Sequence, residues 1–234
     1  MGEQNIAWAA TKFYPGSQEN TWDRAITDLR RPGMRVLEIG SGSGVFPQNE
    51  NYPLGRVDGV DLDAKVLTNP HLIQGWSCSF YDLGPLVPNK YDLIYSHMVA
   101  EHVEDPLGFI QEQLMLLAPG GIIVHSTLSR WSLPALANWL LPRKLQLALL
   151  GLLRSKRTPD QVYPAVYKMN SVGSLKRLAT TLGLNIQLRL ASQPIGYLKF
   201  NRRLLGFVSA LLAPLERIFP ALRCQLLIVI TRPN

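Results

Sequence analysis

The sequence predicts an α/β fold built on a mainly parallel sheet, whose ligands would lie beyond the carboxyl ends of the strands. Short apolar runs rich in β-branched residues alternate with amphipathic helical segments along the chain. The first of these runs ends in glycine, and the second ends in an acidic residue. The 234 residues, 47% of them hydrophobic, are enough to bury one sizeable core. We therefore expect a single domain over residues 1–234.

The apolar runs predict strands in both halves of the chain. Four runs precede residue 130 and are expected to pair in parallel: residues 34–40, 56–62, 90–97 and 120–128. Two further strand-like runs follow, over residues 185–192 (NIQLRLAS) and 224–232 (CQLLIVITR). Neither an internal repeat nor a low-complexity segment interrupts this alternation.

Two helices are predicted between these strands. Residues 105–121 keep apolar side chains at helical spacing, and Pro119 with the two glycines after it is expected to end that helix. Residues 170–185 predict the second helix, which Asn170 or Ser171 would cap at its start and Gly183 would close. Strands that alternate with helices in this way are typical of a parallel sheet.

Two stretches exceed this alternation and are predicted to be helical insertions, at about residues 131–165 and 195–223. Both are rich in leucine and basic residues and are interrupted by proline. Their longest uncharged runs fall short of the roughly 18 residues that a membrane-spanning helix needs. They are expected either to cap the sheet as packed helices, or to place basic amphipathic faces on an anionic membrane or around an apolar substrate.

Charge is distributed unevenly along the chain. Residues 1–130 carry 9 Lys and Arg against 15 Asp and Glu, whereas residues 131–234 carry 15 against 2. The two parts therefore bear about −6 and +13, within a total of +7. A merely solvated surface is one explanation of a basic excess, but an asymmetry of this size favours an anionic partner or surface.

Cysteine usage and the first residues bear on location. Cys78 and Cys224 form no CxxC pair, and no metal-binding spacing is present, so neither a disulfide framework nor a structural zinc is expected. The first ten residues lack the basic and apolar regions of a signal peptide. We expect a cytoplasmic protein, held peripherally at the inner face of a membrane if its basic insertions bind one.

The stretch VLEIGSGSG, residues 36–44, indicates the ligand. Gly40, Gly42 and Gly44 follow a strand, so the turn can pass close to a bound molecule. The spacing differs from GxGxxG, and the carboxylate of Glu38 would repel a pyrophosphate but suit an ammonium group. Asp61, 21 residues after Gly40, ends the second strand, where a carboxylate accepts the hydroxyls of a ribose. An amino group, a ribose and no phosphate describe S-adenosylmethionine (SAM).

The chain resembles the class I SAM-dependent methyltransferases, in the group that includes the quinone-biosynthesis methyltransferases. VLEIGSGSG resembles their first motif, GVDLD the ribose motif, YDLIYSHMVAEHVEDP the strand-four motif and LAPGGIIVHSTLS the strand-five motif. The likeness covers residues 33–129 closely and residues 163–191 more loosely. It implies a Rossmann-like fold, with a seven-stranded, mostly parallel sheet, helices on both faces, and an antiparallel hairpin at one edge.

The same resemblance assigns contacts to the cofactor. Glu38, Gly40 and Gly42 would hold the methionine part of SAM, and Asp61 would hold its ribose. Leu62 would pack on the adenine, and Asp82 would meet the adenine amino group. The predicted SAM-binding set is completed by Ser41, Gly44 and Ser96.

Methyl transfer requires nucleophile, methyl group and sulfur to be aligned in a dry cleft, and requires a base only if the nucleophile must lose a proton. The candidate bases lie where the fourth and fifth strands end: His97, Glu101, His102 and His125. Each has a structural alternative, as a residue at a helix start or as a hydrogen-bonded histidine of the pocket or core. Some quinone O-methyltransferases hold magnesium through ExxEH, but Met98 replaces the first acid here, so no metal site is predicted.

The acceptor is expected to be small and lipid-like, because basic, apolar insertions suit an amphipathic molecule at an anionic membrane surface. A hydrophilic small molecule or a sugar is the alternative acceptor. Nucleic acid is expected less, since the basic segments interleave with leucine rather than with stacking aromatic residues. A non-catalytic, membrane-associated SAM-binding protein is the alternative of another class, and the intact Glu38, glycine turn and Asp61 argue against it.

Overall fold

A computed structural model describes residues 25–26, 29–43, 57–87, 89–142, 144–145, 164–192 and 202–231. A seven-stranded sheet with the order β3-β2-β1-β4-β5-β7-β6 runs through these residues. The strands are β1 Val36–Ile39, β2 Val57–Asp61, β3 Gln74–Ser77, β4 Tyr91–His97, β5 Leu117–Leu128, β6 Asn185–Ala191 and β7 Gln225–Thr231.

Strand direction divides the sheet into two parts. The first five strands pair in parallel, with β1 between β2 and β4 at the centre. Strand β7 inserts antiparallel between β5 and β6, and it pairs with β6 as the antiparallel hairpin at the edge. The predicted seven-stranded, mostly parallel sheet is therefore confirmed, and the carboxyl ends of β1, β2, β4 and β5 meet at one edge.

Four α-helices have both ends within the described residues: α1 Pro106–Leu116, α2 Leu133–Leu140, α3 Val172–Leu182 and α4 Arg202–Ile218. Asp105 caps α1 by accepting the Gly108 amide proton, and Ser171 caps α3 by accepting that of Ser174. Gly183 closes α3 at a φ of 62°, as the sequence predicts. Helix α2 falls within the first expected insertion and α4 within the second, while residues 146–163 and 193–201 lie outside the described residues.

Apolar side chains pack on both faces of the sheet. Leu37 and Ile39 of β1 point into one core, which also holds Phe109 and Ile110 of α1 and Leu175 of α3. The alternate positions of the sheet, among them Val36 and Tyr95, face a second core with the helical residues Ala25, Ile26 and Leu29. Successive residues of a strand point to opposite faces, so this alternation decides which face each site residue occupies.

Two local predictions differ from the structure. The helix predicted over residues 105–121 ends at Leu116. Pro119 and its two glycines belong to strand β5, whose first residue, Leu117, pairs with Tyr91 of β4. Pairing with β4 thus overrides the helical spacing, and the register shifts at this point. Strand β3 has no counterpart among the predicted runs, because its four residues lie at the sheet edge and none is buried.

Among the described residues, the structure contains no helix that is both long enough and apolar enough to cross a bilayer.

Candidate active site

The glycine turn after β1 adopts a backbone that other residues rarely take. Gly40 has a φ of 79° and Gly42 a φ of 49°, both in the left-handed region. The Gly40 amide donates to the Val60 carbonyl at 2.8 Å, which ties the turn to β2. A Cβ atom on Gly40 would overlap the Val99 side chain. The turn therefore requires glycine at position 40 for backbone conformation and for space. Gly44, the third predicted glycine, lies outside the described residues.

Asp61 lies directly beside this turn at the end of β2. Its Oδ2 accepts the Gly42 amide proton at 2.8 Å, and its Oδ1 accepts that of Asp63 at 2.8 Å. A Cβ atom on Gly42 would lie 3.7 Å from Oδ2, an ordinary van der Waals contact, so it would occupy space beside the carboxylate without displacing it. The half-exposed carboxylate is thus oriented by two backbone donors at the sheet edge.

Asn69 supports the turn from a position that sequence reasoning missed. Its side-chain amide donates to the Gly42 carbonyl at 3.3 Å, while its Oδ1 accepts the His71 amide proton at 3.0 Å. Asn69 is buried, at the end of a 3₁₀ helix over residues 64–68. A buried asparagine that bonds to backbone groups fixes a loop. Its position in the chain gives no indication of this role, because its partner lies in a distant turn.

Glu38 and Ser41 lie beneath the turn. Glu38 is only 2% exposed and sits in the sheet between Gly59 of β2 and Tyr95 of β4. Burial, together with the Glu38 carboxylate, raises the pKa of the Tyr95 hydroxyl well above its usual value. Ser41 is also buried, and a Cβ on Gly59 would overlap its hydroxyl. The sheet centre thus holds a carboxylate directly below the glycine turn.

Leu62 and Asp82 are exposed near the ends of β2 and β3. Leu62, which follows Asp61, is 69% exposed despite its apolar side chain. The Cys78 amide donates to the Asp61 carbonyl at 3.1 Å. Asp82 ends the short 3₁₀ helix over residues 80–82, which follows β3. Burial, and secondarily the charge of Asp82, raise the pKa of the Cys78 thiol. The structure therefore brings Asp61, Leu62 and Asp82 into one neighbourhood.

Ser96 and His125 form a buried pair inside the sheet rather than at its rim. Ser96 Oγ lies 2.8 Å from Nδ1 of His125, and neither residue is exposed. The His125 ring also packs against Phe109, with centroids 5.5 Å apart. Burial lowers the pKa of His125 to about 3, so the ring is neutral. This placement favours the core histidine that the sequence left as an alternative.

His97 ends β4 and is half-buried, on the face of the sheet that carries Tyr95. The next residue, Met98, has a φ of 57°, and its amide donates to the Ser126 carbonyl at 2.8 Å. A non-glycine residue in the left-handed region stores backbone strain, and such strain is concentrated at functional sites. Ser96 pairs with Ile39, the residue before Gly40, so His97 lies beside the glycine turn. The chain then turns sharply at Met98.

Glu101 belongs to a buried network. The side chain is 3% exposed, and its Oε2 accepts the Thr127 hydroxyl proton at 2.5 Å. The Thr127 oxygen in turn accepts the Asn170 side-chain amide proton at 2.7 Å. The Glu101 carbonyl also accepts the Val166 and Tyr167 amide protons. Glu101 therefore joins three segments of the chain.

His102 is half-buried, and its ring orientation is fixed from one side. Nδ1 lies 2.8 Å from the Pro164 carbonyl oxygen, which can only accept, so Nδ1 carries a proton. In the neutral ring Nε2 is then the acceptor nitrogen, as a general base requires. Of the four predicted bases, His97 and His102 retain partial exposure, whereas Glu101 and His125 are enclosed. No group of three or more metal-ligating side chains occurs within the described ranges.

Comparison of the sequence with known families identifies the family of this chain. A family model described as a methyltransferase domain matches residues 16–188, which include the glycine turn, Asp61 and the strand-four and strand-five segments. The chain is 28% identical over 130 residues to the ubiquinone biosynthesis O-methyltransferase of Thiobacillus denitrificans, a match that covers 51% of this chain and 56% of that protein. The chain thus spans about half the length of the curated relatives it matches.

Solved structures of methyltransferases share the fold of this chain. A SAM-dependent methyltransferase from Mesorhizobium loti has a TM-score of 0.57 at 20% identity, covering 89% of this chain and 96% of that one. A phosphoethanolamine N-methyltransferase from Haemonchus contortus, determined with SAM, has a TM-score of 0.56 at 15% identity, covering 99% and 56%. The fold expected from the sequence is confirmed. The chain belongs to the methyltransferase domain family, and it shares its fold with solved SAM-dependent methyltransferases.

Proposed function

We propose that this chain transfers a methyl group from SAM to a small, lipid-like acceptor by in-line displacement. One observation carries the proposal: the Gly40–Gly42 turn and the Asp61 carboxylate are joined by a hydrogen bond at the carboxyl ends of two neighbouring parallel strands. Ligands of open α/β sheets bind at this edge. The match to the methyltransferase domain family supports the same reaction class.

The residues at the strand ends suit SAM. Asp61 would accept the ribose hydroxyls, since its carboxylate is half-exposed and already oriented by two backbone donors. The exposed Leu62 would cover the adenine, and Asp82 would meet its amino group. Glu38 lies under the turn, where its carboxylate would pair with the ammonium group of the methionine part.

SAM supplies a sulfonium methyl group that is electrophilic without further activation. The contribution of the chain is therefore to orient the acceptor, to exclude water and, for a hydroxyl acceptor, to remove a proton. We assign proton removal to His97, which ends β4, or to His102, in the 3₁₀ helix over residues 100–102 that follows; both are half-buried. Glu101 and His125 are proposed as positioning residues, because each is enclosed and bonded to a hydroxyl within the core.

Exposed apolar side chains near this edge support a lipid-like acceptor. Trp131, Leu133 and Trp139, in and just before helix α2, are exposed, and the Arg130 guanidinium lies 5.8 and 6.0 Å from the two indole rings. Indoles beside a cation suit an amphipathic molecule at a membrane interface. The curated relatives act, by name, in ubiquinone biosynthesis as O-methyltransferases, which is consistent with a lipid-like acceptor methylated on oxygen.

The proposal is tested by labelling an extract of the source cells. The purified protein is incubated with methyl-labelled SAM and the extract, which is then separated into organic, small polar, RNA and protein fractions. Asp61→Ala serves as the inactive variant. Asp92→Ala is its matched control, because Asp92 also accepts a backbone amide proton, from Arg35 at 2.8 Å, at the opposite end of the sheet.

We expect label in the organic fraction with the natural chain and with Asp92→Ala, and none with Asp61→Ala. Label in the polar or RNA fraction would keep the reaction class and overturn the lipid-like acceptor. An unlabelled extract, with SAM binding confirmed by calorimetry, would replace the enzyme with a non-catalytic SAM-binding protein.

A further inference from the structure

Helix α4, Arg202–Ile218, carries an exposed apolar stripe. Phe207, Leu211, Leu215 and Ile218 follow one another at intervals of three or four residues, so they lie on one side of the helix. Their exposed fractions range from 41% to 68%. Large apolar side chains in a contiguous row on a surface mark an interaction site.

The side of α4 that faces the protein is distinct from this stripe. Val208, Leu212 and Glu216 are half-buried, and Glu216 accepts the Ser192 hydroxyl proton at the end of β6. Helical spacing places Arg203 and Arg217 together on the other flank of the stripe, and both are exposed. The stripe therefore lies between a packed side and a basic flank, which is the arrangement of an amphipathic helix at a membrane interface.

The segment that follows α4 is joined to the segment that precedes α2. The Ser129 hydroxyl donates to the Ala221 carbonyl at 2.8 Å, and the Ser129 amide donates to the Cys224 carbonyl at 2.9 Å. Phe219, which is exposed, follows α4, while the exposed Trp131 precedes α2. The apolar stripe and the Trp131–Arg130 pair are thus parts of neighbouring elements, at the end of β5 where the candidate active site lies.

We propose that α4 docks in the plane of an anionic lipid membrane, with the stripe at the boundary of headgroups and acyl chains and with Arg203 and Arg217 on lipid phosphates. Charge complementarity identifies the occupant. Residues 202–223 contain four arginines against one glutamate, within a region of chain that is strongly basic. Phosphate headgroups over an apolar layer match both features, whereas an RNA backbone offers no apolar layer.

This docking deepens the proposed function, because a membrane would deliver a lipid-like acceptor to the sheet edge that carries Asp61. In that one respect it rests on the proposed function. Membrane binding itself requires no catalysis. The two ideas can therefore fail separately, because vesicle binding, SAM binding and methyl transfer are measured independently.

The test is flotation of the full chain with vesicles of phosphatidylcholine alone or with about 30% phosphatidylglycerol, a fraction at which basic surface residues are attracted. One variant, Phe207→Ser/Leu211→Ser/Ile218→Ser, removes the stripe. Its control, Ile73→Ser/Leu86→Ser/Met115→Ser, removes three exposed apolar side chains outside α4. A second variant, Arg203→Glu/Arg217→Glu, reverses the basic flank, and its control, Lys176→Glu/Arg177→Glu, makes the same charge change on the exposed side of α3.

We expect the natural chain and both controls to float with anionic vesicles and to be released by high salt. The stripe variant should lose roughly tenfold in partitioning for each side chain removed, and the arginine variant about thirtyfold or more for the pair. Circular dichroism and SAM affinity should stay unchanged in every variant. Equal flotation of the α4 variants and the natural chain, or no flotation of the natural chain, would overturn the docking. Binding to RNA or protein but not to vesicles would do so as well.

Discussion

Asp61→Ala tests how the carboxylate at the end of β2 acts. In the structure this carboxylate accepts the Gly42 and Asp63 amide protons at 2.8 Å each. Because Asp61 is half-exposed, water can replace the lost acceptor, so we expect the free energy of unfolding to fall by only about 1–3 kcal/mol. The variant should therefore fold, and its effect on cofactor binding can be measured.

The loss in the free energy of SAM binding should exceed the loss in stability. If the carboxylate accepts both ribose hydroxyls, two charge-assisted hydrogen bonds at about 1.5–3 kcal/mol each are removed. Together they amount to about 3–6 kcal/mol, which raises the Kd for SAM by roughly 10²- to 10⁴-fold. Isothermal titration calorimetry with SAM and with S-adenosylhomocysteine measures this change, while urea unfolding measures the stability.

The comparison with Asp92→Ala separates binding from folding. Asp92 accepts the Arg35 amide proton at 2.8 Å and, like Asp61, is partly exposed. It lies at the amino end of β4, remote from the glycine turn. We expect a similar small loss of stability and an unchanged Kd. A Kd for Asp61→Ala within about threefold of the natural value, or an equal loss in both variants, would refute the role of Asp61.

Three further changes test neighbouring features. Gly42→Ala should weaken SAM binding at least tenfold while lowering stability by only about 1 kcal/mol, since its Cβ would enter the space before the Asp61 carboxylate; calorimetry and urea unfolding check both. Burial lowers the pKa of His125 to about 3, so as the pH falls this ring takes up a proton in the unfolded state before it does so in the folded state. The free energy of unfolding should therefore drop by about 1.4 kcal/mol between pH 7.5 and 5.5. Urea unfolding of His125→Asn should not show this difference. Thr127→Val should cost about 1–3 kcal/mol by removing a buried partner of Glu101, Thr127→Ser should restore most of it, and equal stability of all three chains would contradict the network.

Some of the fold follows from local pattern. Strands β1 and β2 are buried except at the last residue of β2, and both carry β-branched apolar residues directly before a glycine or an acid, which is why the sequence predicts both within one or two residues. The cap at Ser171 and the left-handed Gly183 are equally local, since they depend on the conformations of single residues. Edge strand β3 escapes prediction because its half-exposed residues carry no apolar periodicity.

Long-range pairing decides other boundaries. Leu117 continues the helical spacing of the residues before it, yet it pairs with Tyr91 of β4 as the first residue of β5. Gly120, at a φ of 73°, accommodates this path. Interstrand hydrogen bonds along β4 and β5 outweigh a weak local preference for helix, and no window of sequence contains both partners.

The meeting of the glycine turn with Asp61 follows from the order of residues along the chain, because the carboxyl ends of neighbouring parallel strands lie at the same edge of a sheet. Tertiary structure alone decided which candidate bases remain accessible. His125 is enclosed by Ser96, and Glu101 is enclosed by Thr127 and Asn170, whereas His102 stays half-exposed. Burial and hydrogen bonding depend on partners far apart in the chain, so the chemical role of each side chain is settled only when the chain folds.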